Sequence, residues 1–136
     1  MIKNLYEYFE PEHEIYLDNI SYEKLEKSVE IKQYTVNCTD NLTVRIDGDI
    51  VDVIVQRNVE FVPAEIYKLS VSFGTTLRFK AKNSISDFDN INWAEEFKES
   101  DNFIIDNIMS RITLMIAQIT SSFGQQPLVM PPKIGG

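Results

Sequence analysis

The sequence is poor in the residues that metal and nucleophile chemistry need. Its one cysteine, Cys38, rules out an internal disulfide framework and a cysteine-rich zinc site. Its one histidine, His13, rules out paired-histidine metal motifs. Glycine is scarce as well, with five in 136 residues and none at the spacing of a phosphate-cradling loop. Asp47 and Asp49 flank Gly48, but the remaining ligands of a calcium loop are missing, so the triplet reads as a turn. Cys38 follows Asn37 in a polar stretch with no basic neighbour to activate it. Nothing assembles a nucleophile, a base and an oxyanion site. The expectation is a protein that is not an enzyme and needs neither cofactor nor metal.

Basic charge is also short. Lys and Arg number 13 against 21 Asp and Glu, for a net charge of −8. That balance argues against nucleic acid as the partner. The acid gathers in residues 1–27, with seven acids to three bases, and in residues 84–102, with six to one. Such patches read as a solvated surface or as docking ground for a basic partner. The start, Met1–Glu7, lacks an apolar run and turns acidic, so a cytoplasmic chain without a leader is expected.

Long hydrophobic runs are missing but for Phe103–Phe123, which carries Asp106 and Arg111. At helical spacing Ile105, Ile108, Met109, Ile112, Met115, Ile116, Ile119 and Phe123 share one side. A membrane span would not need that segregation, so one long amphipathic core helix is expected, without membrane insertion. Burying eight such side chains is worth roughly 12–24 kcal/mol gross. Ser100 or Asp101 is placed to cap its start and Gly124 to end it. Phe103, Asn107, Ser110, Leu114, Ala117 and Ser121 lie on the other side. A Leu and a Phe among small residues suit a second packing face, so these six are the expected oligomer interface.

Before that helix the apolar residues alternate with period two, as in half-buried strands. The runs are Val51–Phe61, Tyr67–Phe73 and Leu77–Ala81, with Gly74-Thr75 read as a tight hairpin between the last two. Leu42–Ile46 precedes the Asp47-Gly48 turn, and earlier strands are expected at Glu14–Tyr22 and Val29–Val36. Pro63 marks a corner. Trp93–Glu99 reads as a short helix capped by Asn92, with Glu95 three residues on. Residues 124–136 form a proline-containing tail that should run extended over the surface. The whole, residues 1–136, is one α+β domain: an antiparallel sheet of about four main strands plus extra strand material, with one long and one short helix on one face. Aromatics and methionines, at eight Phe, six Tyr, one Trp and four Met, exceed what one small core needs. Tyr34, Phe88, Trp93 and Phe97 lie in the less regular segments and are expected to line an apolar groove. The competing reading of Trp93 and Phe97 is that they anchor the short helix.

Ile15-Tyr16-Leu17-Asp18-Asn19-Ile20-Ser21-Tyr22-Glu23 resembles the first-strand motif of the SecB export chaperones, Ile-Tyr-x-x-Asp-x-Ser-Phe-Glu. The end of the long helix and Ser122–Pro132 are similar to that family's turn from its long helix into a proline-containing segment. The resemblance covers residues 13–132. It implies a four-stranded antiparallel sheet under a long helix, and a homotetramer built as a dimer of dimers. It also implies a holdase for unfolded or nascent polypeptides that hands preproteins to the SecA motor. Glu23 matches the family's acidic docking patch, while its neighbouring Asp is Asn19 here, with Asp18 adjacent. The acid of the family's last strand has no counterpart in the basic Leu77–Lys82. Its second helix has no counterpart before Gly136, so a more open groove is expected. Residues 28–47 look like added strand in place of the family's crossover loop. The alternative within the same fold is an adaptor, or an antitoxin-associated chaperone, dedicated to one partner.

Overall fold

The computed structural model describes residues 7–27, 30, 33–80, 91–99, 103–123 and 127–134. Four strands come first: β1 (Glu14–Lys24), β2 (Thr35–Asp47), β3 (Ile50–Val62) and β4 (Tyr67–Arg78). Two helices follow, α1 (Trp93–Glu99) and α2 (Phe103–Ser121). The strands form one antiparallel sheet in the order β1-β4-β3-β2. Gly48, at a φ of 63°, closes the tight β2–β3 turn, a conformation that costs glycine little. The corner at Pro63 turns β3 into β4. β1 pairs with the free side of β4, so β1 and β2 hold opposite edges.

The period-two pattern decides which face is covered. Val51, Val53, Val55 and Val59 of β3 are wholly buried, as are Leu69, Val71 and Leu77 of β4 or nearly so. Their in-register partners put them on one face, Val51 opposite Leu77 and Val59 opposite Leu69. α2 lies on that face over β4 and β3, and α1 lies over β2. Ile104, Ile105, Ile108, Met109, Ile112 and Ile116 of α2 are buried there. The other face, with Asp52, Ser70, Ser72 and Thr76, is polar and carries no helix among the described residues. This is an α+β fold with both helices on one face of an antiparallel sheet.

Several elements differ from expectation. No hairpin forms at Gly74-Thr75; β4 runs straight through it. Gly74 pairs with Tyr16 on one side and Ile54 on the other. A Cβ on Gly74 would lie 2.8 Å from Tyr16 Oη and 3.1 Å from Ile54 Cγ1, so the glycine makes room for a tyrosine ring rather than for a turn. β2 is one strand of 13 residues, matched one-to-one with β3 from Thr35–Val62 to Asp47–Ile50. The strand expected at Val29–Val36 contributes only Thr35 and Val36 to it; residues 28, 29, 31 and 32 lie outside the described residues. Ser100, Asp101 and Gly124, the expected ends of α2, also lie outside them.

On α2, Thr120 is buried although it falls on the expected polar side, because its hydroxyl donates to the Ile116 carbonyl at 2.7 Å and needs no water. Phe123, expected in the buried stripe, is 38% exposed and stacks beyond the helix end. α2 is long and apolar enough to cross a membrane by length and composition, but here its apolar stripe packs on the sheet. Residues 127–134 carry no helix or strand and bend at Pro132 and Lys133, yet Leu128, Met130 and Ile134 pack against the core.

Candidate polypeptide-binding surface

Two aromatic clusters sit at opposite ends of the covered face. The first lies beyond the end of β4. Phe79 bridges to Phe9 and stacks on it at 5.1 Å, and Trp93 of α1 meets Phe9 at 5.4 Å and Phe79 at 5.6 Å. Phe97 closes the group at 5.8 Å from Phe9, and Tyr8 caps Trp93 edge-on at 5.5 Å. α1 brings Trp93 and Phe97 inward because they are four residues apart on one helical face. Asn92 Oδ1 accepts from the Glu95 amide at 3.3 Å and fixes the helix start. Trp93 is 3% exposed and Phe97 0%. The expectation of these two as client-binding aromatics is therefore corrected. They are closed in the core and anchor α1, since Phe9 and Tyr8 fold back over them.

The second cluster lies at the start of β4. Tyr67 is its centre. Phe61 meets Tyr67 at 5.0 Å, Phe123 at 5.3 Å and Tyr22 at 5.8 Å. Tyr22 and Phe123 touch at 5.3 Å, and Tyr34 extends the row from Phe61 at 6.3 Å. The row thus crosses the sheet from β1 through β4 and β3 to the segment that enters β2. The row is open: Tyr22 is 47% exposed and Phe123 38%, with Tyr34 and Phe61 half-buried.

Polar contacts hold this end in shape. The Tyr34 hydroxyl donates to Glu65 Oε2 at 2.5 Å, and that bond to a carboxylate raises the phenol's pKa. Burial raises that of Tyr67. Lys27 Nζ stands 6.0 Å from the centre of the Tyr34 ring. Ile66 holds a φ of 76°, strained for a β-branched residue, while its carbonyl accepts from the Leu25 amide at 3.0 Å. Beside it Lys24, Leu25, Glu26, Lys27 and Ile66 line a cleft of about 580 Å³. The arrangement offers large, sequence-tolerant apolar contact with a charged rim. Among the described residues no group of three His, Cys, Asp or Glu is placed to hold a metal.

Tyr34 is the one expected groove residue in this row; Phe88 lies outside the described residues. Tyr22, Phe61, Tyr67 and Phe123 were missed because each reads in sequence as an ordinary inward strand or helix position. Their common signal is that all fall within two residues of an element's end. Asp18 and Glu23, the expected docking acids, are exposed on β1. Asp18 sits in a bulge between Leu17 and Asn19 and accepts from Ser72 Oγ at 2.9 Å, while Glu23 is opposite Lys68. Phe103 and Leu114 are 62% and 59% exposed on α2. Ser110 and Ser121 are exposed beside them and Asn107 and Ala117 half-buried. Leu17 and Ile20 of β1 are exposed too.

No family model matches the sequence, and no curated protein matches it. Solved structures do. The chain is similar to the Mycobacterium tuberculosis SecB-like chaperone Rv1957, solved in complex with a peptide from an antitoxin. The TM-score is 0.63 at 11% identity, over 87% of this chain and 83% of that one. A protein of unknown function from Streptococcus agalactiae aligns at a TM-score of 0.43 and 10% identity, over 90% and 98%. The fold is SecB-like.

Proposed function

We propose that this chain is a SecB-like chaperone that binds extended segments of unfolded or nascent polypeptide through the Tyr22–Phe123–Tyr67–Phe61–Tyr34 row. The observation that carries the reading is the openness of that row, on a fold that closes four rings at its other end. Aromatic faces give apolar contact without reading sequence, which suits varied clients. No nucleotide and no catalytic step enter. The test is suppression of aggregation for several unrelated unfolded proteins, comparing the wild-type chain with Tyr22→Ala/Phe123→Ala. Broad suppression that the double variant loses supports the reading; suppression of none overturns it.

A second reading is an adaptor dedicated to one partner, favoured by the structurally similar chaperone having been solved with an antitoxin peptide. Activity confined to one polypeptide would select it. Hand-over to the SecA motor would use Asp18 and Glu23, in a cytoplasmic setting, and a pull-down with the motor tests it. We also propose a homo-oligomer, dimer or tetramer, through Phe103, Leu114 and the small residues beside them. Light scattering on Leu114→Glu decides that point, an unchanged mass removing this face from the interface.

A further inference from the structure

Arg57 stands on the covered face of β3 between Val55 and Val59, both fully buried. A cation in such a place needs its donors satisfied. Nε donates to Asp40 Oδ1 at 2.7 Å and Nη2 to Oδ2 at 2.9 Å. The rest of the fork reaches the carboxy-terminal segment, Nη1 donating to the Pro131 carbonyl and Nη2 to the Lys133 carbonyl, both at 2.8 Å. At the other end of the segment the Leu128 amide donates to the buried Thr120 Oγ1 at 2.8 Å. Leu128 and Met130 face the core between these anchors and Val129 faces out. Residues 127–134 therefore form a strap without helix or strand, bent at Pro132 and Lys133, from the end of α2 to the flank of α1.

All three of these hydrogen bonds meet main-chain atoms of the strap. They hold the backbone and ignore side-chain identity; the side-chain demand is only apolar groups at alternate positions. We propose that the strap fills a second peptide groove, and that an extended, proline-containing polypeptide segment with alternate apolar residues displaces it. This deepens the polypeptide-binding reading and rests on it. The floor explains why the occupant is a peptide. If the strap simply lifted, Arg57 would lose two acceptors in a low-polarity site, a costly state. An incoming chain supplies equivalent carbonyls, so exchange avoids it. Proline holds a chain extended before it binds, which lowers the ordering cost. A cleft of about 210 Å³ between Asp40, Leu42, Ala94, Lys98 and Ile134 gives solvent access at the strap's far end, where replacement can begin.

The experiment uses the full chain and a fluorescein-labelled peptide of the strap's own sequence, Pro127–Ile134, followed by fluorescence anisotropy. Leu128→Asp/Met130→Asp weakens the strap's hold, and Val129→Asp, on the outward side, is the control. Removing an internal competitor raises apparent affinity in proportion to the groove fraction set free. The released chain should bind the peptide at least about tenfold more tightly than the wild type or the control. A peptide carrying Ser in place of Leu and Met should not bind. A folded released chain that binds no more tightly than wild type overturns the proposal. So does one that doubles its mass and ignores the peptide, since the strap would then exchange between copies. If the double variant does not fold, Met130→Ala trims one apolar contact of the strap and leaves the groove itself unchanged; a gain in affinity supports the proposal and no gain overturns it. The assay does not use Tyr22 or Phe123, so its failure is distinguishable from failure of the client reading.

Discussion

The two aromatic clusters use similar side chains and reach opposite outcomes. At the end of β4, Phe9, Phe79, Trp93 and Phe97 are all but closed to water. At its start, Tyr67 is buried while Tyr22 and Phe123 keep much of their surface. The difference is a lid. Residues 8–9 and α1 fold over the first cluster, with Glu10 donating its amide to the Arg78 carbonyl at 2.8 Å and Lys80 donating to that of Tyr8 at 2.9 Å. At the second, the turn after α2 brings Phe123 against Tyr22 and Tyr67 and leaves Tyr22 and Phe123 partly exposed. Aromatic residues therefore say little about binding until the element that covers them is known.

The largest way to break this comparison is in stability. Phe97→Ala removes a fully buried ring and should cost about 3–5 kcal/mol, while Tyr22→Ala should cost less than about 1 kcal/mol. Urea unfolding measures both. Equal losses would mean the open row is as structural as the closed box.

Arg57→Met comes next. It leaves the Asp40 carboxylate buried beside a lost partner, for a loss of about 3–5 kcal/mol. Adding Asp40→Leu should recover much of it, because the penalty lies in the stranded charge. Asp40 and Arg57 face each other in register across β2 and β3. Recovery by the double variant, read from the same unfolding curves, separates the pair's role from that of the strap.

In binding the ranking should invert. Tyr22→Ala/Phe123→Ala should weaken capture of an unfolded client by about tenfold, equal to about 1.4 kcal/mol, with the fold intact. Phe97 variants that still fold should bind normally. Trp93 is the one tryptophan, so its fluorescence should stay silent when client binds. A Trp placed by Phe123→Trp should respond. A response from Trp93 in the wild type would overturn the division between the clusters.

Much of this fold was legible in the sequence. The stripe of α2, the β3 alternation, the Asp47-Gly48 turn and the Asn92 cap are local signals, and local signals survive into the structure. Gly74 was misread because a glycine that makes room for a cross-strand ring looks the same as one that makes a turn. Thr120 was misread because periodicity counts it polar, while its hydroxyl bonds back to the helix and on to Leu128. The surface row was the least legible part. Tyr34 stood out, but Tyr22, Phe61, Tyr67 and Phe123 come together only through strand order, which joins residues up to about a hundred positions apart. Burial reversed Trp93 and Phe97 for the same reason, since residues 8 and 9 cover them from the far end of the chain.

The smallest expected effect tests the sheet between the clusters. Gly74 lies midway along β4 and contacts Tyr16 on the uncovered face, away from both. A Cβ there meets the far end of the half-buried Tyr16 side chain, which can move outward only by giving up its hydroxyl's hydrogen bond with Thr76. Ile54 Cγ1, at 3.1 Å, has less room to give. Against this crowding stands the gain from removing a glycine inside a strand, about 0.5–1 kcal/mol. The two offset, so Gly74→Ala should change stability by less than about 1 kcal/mol and leave client binding unchanged. Tyr16 should then lose its packed position, which its ring resonances in an NMR spectrum report. A loss comparable with that of Phe97→Ala would show that the Tyr16 ring is fixed. The β1–β4 pairing, rather than the lid over one cluster, would then set the difference between the two ends.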